Sequence, residues 1–180
     1  MGKFKKQTCC FTGHRNIPPG EQTKILTRVR HRLIPLIQSG IIYYGVGGAL
    51  GFDTLVAEML IELKKENGRL RIIEVLPFEG YRDRWTPEQQ LHAKNLDKKM
   101  DKIVYVSKEP SKSAYLTRDR HLVDCSDYCI SYCTKQTSNL KARTARLPIS
   151  LLASMVTGQR WAVPQTCKDP NTWLAGNATI

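Results

Sequence analysis

No stretch of this 180-residue chain approaches the ~20 consecutive apolar residues that a membrane helix needs, so no membrane partner is expected. The six cysteines contain no C-x-x-C pair, which removes the zinc-ribbon and thioredoxin-like readings, and no metal or resident cofactor is expected. Neither G-x-G-x-x-G nor G-x-x-x-x-G-K-[ST] occurs, so neither the dinucleotide fingerprint nor the Walker loop applies. The basic opening Met1–Lys6 runs into Gln7 and Thr8, where a secretory signal would place its apolar core. Lys6 stands where a myristoylation signal has Ser or Thr, and the expected location is the cytoplasm. Internal repeats and low-complexity linkers are absent as well.

Acidic residues are scarce: 16 Asp and Glu face 28 Lys and Arg, for a formal net charge of +12. Such a surplus suits a polyanionic partner, a nucleotide or nucleic acid, and equally suits a solvated basic surface, because it is spread along the chain. Cys125, Cys129 and Cys133 recur every four residues, but their surroundings read as a strand, and core packing is the expectation for these thiols.

The apolar pattern alternates between two periods. Gln7–Phe11 is expected as a strand, then Glu21–Ser39 as an amphipathic helix that Pro35 bends near its end. Ile41–Val46 is a continuous apolar run of the kind found in strands buried on both faces. A helix from the Gly47–Asp53 turn to about Lys65 follows, then strand Leu70–Leu76, helix Pro87–Lys99, strand Lys102–Ser107, helix Ser113–Cys125 and strand Asp127–Cys133. This order predicts an α/β fold: a Rossmann-like, doubly wound, mainly parallel sheet of five or six strands in one domain. Leu147–Ala153 is the candidate sixth strand, although only thirteen residues separate it from Cys133. The domain is placed at 1–153 and a poorly specified tail at 154–180.

Two segments at predicted strand ends carry the chemistry. In Gly47–Asp53 (G-G-A-L-G-F-D) the glycines let a backbone turn tightly and let a phosphate approach, and the following helix adds its positive end. Gly47, Gly48, Ala49, Gly51 and Asp53 are therefore candidate ligand residues. Asp53 would accept a ribose hydroxyl or cap the helix. In the other segment, Thr12 offers a hydroxyl, Gly13 clearance, and His14 and Arg15 positive charge, with Arg15 able to fork onto phosphate oxygens. Arg118 and Arg120 lie two apart on one helix and do not share a face, so one could reach the pocket while the other pairs with Asp119 or solvent; a solvated charged face is an equal reading for either. Glu58 and Glu79 are the candidates for acid–base work.

Five ordered segments, C-F-T-G-H-R at Cys10–Arg15, G-G-A-L-G-F-D with Ala57-Glu58, P-F-E-G-Y-R-D-R-W at Pro77–Trp85, and R-D-R-H-L-V-D-C-S-D at Arg118–Asp127, resemble the SLOG superfamily. The nearest branch is the bacterial YpsA-like group of unassigned function, and the resemblance is strongest over residues 7–133. It implies a Rossmann-like sheet with a pocket for a nucleotide or nucleotide-derived ligand. G-x-A-x-G-x-D is also similar to the pattern of the DNA-processing protein DprA, which implies weak non-specific nucleic-acid binding as an alternative. The LOG phosphoribohydrolases, which imply N-glycosidic hydrolysis, have G-G-x-G-T-x-x-E instead, and Glu58 falls at a different spacing. Family members usually carry a second glycine turn after the fifth strand, whereas Thr134–Lys141 contains no glycine. Self-association is left open.

Overall fold

The computed structural model of the chain describes residues 7–132. Within them five strands alternate with four helices. They are β1 (Thr8–Gly13), α1 (Pro19–Gln38), β2 (Tyr43–Val46), α2 (Phe52–Glu66), β3 (Arg71–Leu76), α3 (Pro87–Asp97), β4 (Lys102–Tyr105), α4 (Lys112–Asp124) and β5 (Tyr128–Tyr132). The sheet order is β4-β3-β2-β1-β5 and every pairing is parallel. The α/β, Rossmann-like, parallel architecture expected from the alternation is the architecture observed.

Parallel strands alternate their side chains between two covered faces, and the core divides accordingly. Cys9, Phe11, Tyr44, Val46, Ile72 and Ile130 pack on one face with Ile25, Val29 and Leu33 of α1 and Val56 and Leu60 of α2. Cys10, Ile73 and Val75 pack on the other with Leu122, Val123 and Cys125 of α4. The chain steps from β1 outward to β4, then crosses back to add β5 on the far side of β1. Right-handed crossovers of opposite direction put their helices on opposite faces, which is why α4 stands alone on its side among the described helices. The direction reverses between β1 and β5, so a crevice is expected at the carboxyl ends of these two strands.

Several boundaries differ from the sequence expectation. β1 runs two residues further, to Gly13, because Thr12 and Gly13 pair with Ser131 and Tyr132 of β5. β2 begins at Tyr43, since Gly40 and Ile41 donate back to Ile37 and Leu36 and finish the α1 turn. α1 runs from Pro19 through Pro35 to Gln38, two residues earlier at its start and one shorter at its end than expected. α3 opens with a full capping box in which Thr86 and Gln89 exchange side-chain and backbone bonds. Cys10, Cys125 and Cys129 fall in one apolar cluster, and none of the three is in a disulfide. Cys133, the glycine-free segment Thr134–Lys141, the candidate sixth strand Leu147–Ala153 and the tail 154–180 lie outside the described residues.

Candidate functional site

The ends of β1 and β2 meet over the start of α2. Gly51, the residue before α2, has φ +82° and ψ −118°, a conformation that L side chains rarely adopt. Its Cα faces the carbonyls of His14 and Arg15, so a Cβ there would collide with backbone. The same packing lets Phe52 N–H donate to His14 O at 3.0 Å. Gly13 leaves the space that the Phe52 ring fills; a Cβ would stand 2.5 Å from it. Two of the glycines thus hold chain against chain.

Arg118, from α4 on the opposite face, fills the space beside Gly47. Its guanidinium Nη1 donates to Gly47 O, lies 3.7 Å from Asp53 Oδ2, and its Nε is 2.8 Å from Asp119 Oδ1. Asp53 is buried and accepts from Ala49 N–H at 3.3 Å, which ties the turn to α2; no side chain caps the helix itself. Burial pushes the Asp53 carboxyl up to about 6, against the opposing pull of Arg118 and the Ala49 bond. Thr54 Oγ1 adds a bond to Ala49 O.

Arg15 is exposed, and its Nη2 donates to Tyr81 Oη at 3.4 Å. No carboxylate lies within ion-pair distance of it among the described residues. Tyr81 packs edge-on against Phe78, Trp85 and Tyr115, an aromatic wall at the end of β3 and the start of α4. His14 sits edge-on to the Tyr132 ring at 5.6 Å, and burial lowers its pKa.

The structure therefore brings Thr12, Gly13, His14, Arg15, Gly47, Gly48, Ala49, Gly51, Asp53 and Arg118 to one end of the sheet. Arg120, two residues along α4, is exposed, as the helical spacing anticipates. Glu58 is half-exposed on α2 and meets His92 Nε2 of α3 at 2.8 Å. Glu79 is exposed on the β3–α3 loop.

Glu74, Tyr81, Arg82 and Asp119 are absent from the sequence-based set, although each touches or borders this region. Glu74 did carry a signal: it is the one acidic residue in the apolar strand R-I-I-E-V-L. Its side chain is 3% exposed and pairs with Arg82 Nη2 at 2.5 Å. Burial pushes the Glu74 carboxyl up to about 8, with Arg82 opposing and Asp97 adding to the rise.

The all-parallel sheet flanked by helices on both faces defines a Rossmann-like domain. The sequence model described as the YspA SLOG family matches residues 10–147, and the chain belongs to that family. It is similar to a UPF0398 protein of Listeria monocytogenes serotype 4a, 29% identical over 131 residues, covering 67% of this chain and 71% of that protein. A UPF0398 protein of Listeria welshimeri is 27% identical over 133 residues, covering 69% and 73%. One from Staphylococcus epidermidis is 27% identical over 104 residues, covering 57% and 55%.

Proposed function

We propose that this protein is a binding or sensing module for a nucleotide or nucleotide-derived ligand, acting in the cytoplasm. The observation that carries the reading is Arg15. It lies at the strand-end crevice beside the start of α2, is oriented by Tyr81, and has no carboxylate within ion-pair distance among the described residues. Arg118, by contrast, is already occupied by Gly47 O, Asp53 and Asp119, so its contribution is to the shape of the turn. A phosphate entering here would meet a guanidinium that can fork onto two oxygens and a helix start that favours negative charge. Asp53, buried and engaged by Ala49 N–H and Arg118, braces the turn in this reading.

Thermal-shift titration with NAD, ADP-ribose and nucleoside monophosphates tests the reading. Ligand at ~100 times its dissociation constant stabilises a protein by about 2.7 kcal/mol. Arg15→Ala, at an exposed position, should leave the unliganded melting temperature unchanged and weaken binding about tenfold. No shift with any nucleotide, or an unchanged affinity in Arg15→Ala, would reject the proposal. Release of free base from a monophosphate, lost in Glu58→Gln, would instead make the protein an N-glycosidic hydrolase.

A further inference from the structure

Behind the Gly47–Gly48 turn a second arginine matches Arg118. Arg82, from the β3–α3 loop, donates through Nη2 to Gly48 O at 3.3 Å and to Glu74 Oε1 at 2.5 Å, and through Nη1 to Asp97 Oδ1 at 2.7 Å. Its Cζ lies 5.3 Å from the Trp85 ring centroid. Two consecutive carbonyls, Gly47 O and Gly48 O, are therefore each held by a guanidinium, one from α4 and one from the β3–α3 loop. A trans peptide points its N–H opposite to its C=O. With Gly48 O drawn to Arg82, Ala49 N–H is directed the other way, where Asp53 Oδ2 accepts it. Carbonyl oxygens repel an anion, so a turn that is to receive phosphate must have them turned into the protein.

The Arg82 shell has two buried polar atoms without a hydrogen-bond partner, Glu74 Oε2 and Arg82 Nε. Both side chains line a cavity of about 20 Å³ that Gly48, Asp53, Thr54 and His92 also border. Both atoms are sealed from solvent, so the guanidinium is held in place by its direct partners.

We propose that Arg82 is a positioning residue for the ligand turn, with Glu74 and Asp97 fixing the guanidinium against Gly48 O. This rests on the nucleotide reading only for its effect on affinity; the hold on the turn is a property of the unliganded chain. Lysine keeps the charge at position 82 but lacks the planar fork that reaches three acceptors at once.

The test has a ligand-independent arm. In the unliganded protein, amide hydrogen exchange at Ala49 should be about tenfold faster in Arg82→Lys than in wild type, with Val56 in α2 unchanged. An equal rate at Ala49 would overturn the proposal. Glu74→Gln, which preserves shape, should give a smaller acceleration in the same direction and serves if Arg82→Lys does not fold; no acceleration in it would count against the Glu74 contact. Where wild type binds ADP-ribose, Arg82→Lys should bind it about tenfold more weakly, and equal affinity would reject the positioning role. Wild type that binds no nucleotide but shows the exchange effect would overturn the functional reading and leave Arg82's hold on the turn intact.

Discussion

At the residue scale, Gly51 carries an exacting demand. Its φ of +82° disfavours any L side chain, and the His14 and Arg15 carbonyls occupy the place of a Cβ. Gly51→Ala should cost about 3 kcal/mol or more, read from urea denaturation, because conformational strain and a backbone collision add. A loss under about 1 kcal/mol would show that the β1 and α2 ends are not locked together. Glu74 makes a different demand. Its carboxyl moves from an ordinary 4.5 to about 8 on folding, through burial. The folded chain thus binds the extra proton, so this contribution to stability is fully present below pH ~4.5 and is lost as pH rises through ~8. The melting-temperature difference between Glu74→Gln and wild type should move in the variant's favour from pH 5 to pH 9. A constant difference across that range would show that the carboxyl titrates normally. Glu74 was legible as an acid in an apolar strand, yet its partner Arg82 was not, because nothing in a loop sequence says which way an arginine turns.

At the element scale, β1 and β5 are pinned at their amino ends by one side chain. Asp127 Oδ2 accepts from Gln7 N–H at 3.0 Å, Thr8 N–H at 3.1 Å and Thr8 Oγ1 at 2.6 Å. Thr8 Oγ1 in turn accepts from Asp127 N–H at 2.9 Å. This reciprocal set fixes the register that carries Thr12 and Gly13 to the crevice at the other end. Hydrogen bonds to a charged acceptor contribute about 1.5–3 kcal/mol, so Asp127→Ala should lose roughly 2 kcal/mol in a partly buried site. Denaturation midpoints at unchanged m-value measure it, and Asp127→Asn, which keeps one acceptor oxygen, should lose less. Wild-type stability in Asp127→Ala would mean the strands are held by their ladder alone. The alternation of elements was legible because each strand and helix writes its own period, whereas the 119-residue reach from Asp127 to Thr8 has no local trace.

At the scale of the whole molecule, the positive surplus is less evenly spread than the sequence-based expectation has it. The described residues 7–132 carry 19 basic and 15 acidic side chains, only +4 of the +12. The rest comes from Lys3, Lys5 and Lys6 and from Lys135, Lys141, Arg143, Arg146, Arg160 and Lys168 against Asp169. If the chain binds DNA, the attraction should be sequence-independent and electrostatic. Its log affinity should fall with log salt by about 0.7 per contacted phosphate for single strands. Fluorescence anisotropy over rising salt checks this; tight binding that persists through the salt series, or that selects one sequence, would contradict it.

The sequence by itself determined the strand–helix alternation, the parallel sheet, and the presence of two glycine-bearing turns at strand ends. These depend on hydrophobic period and on turn residues, which act over a few positions along the chain. It also determined that Arg118 and Arg120 diverge, since helical geometry separates residues two apart. Only the tertiary structure decided that Arg118 would close on Gly47, 71 residues away, and that Arg82 and Glu74 would brace Gly48. Glycine in a sequence marks a place that must stay empty of a side chain, but whether a ligand or another part of the protein fills that place depends on how distant segments pack.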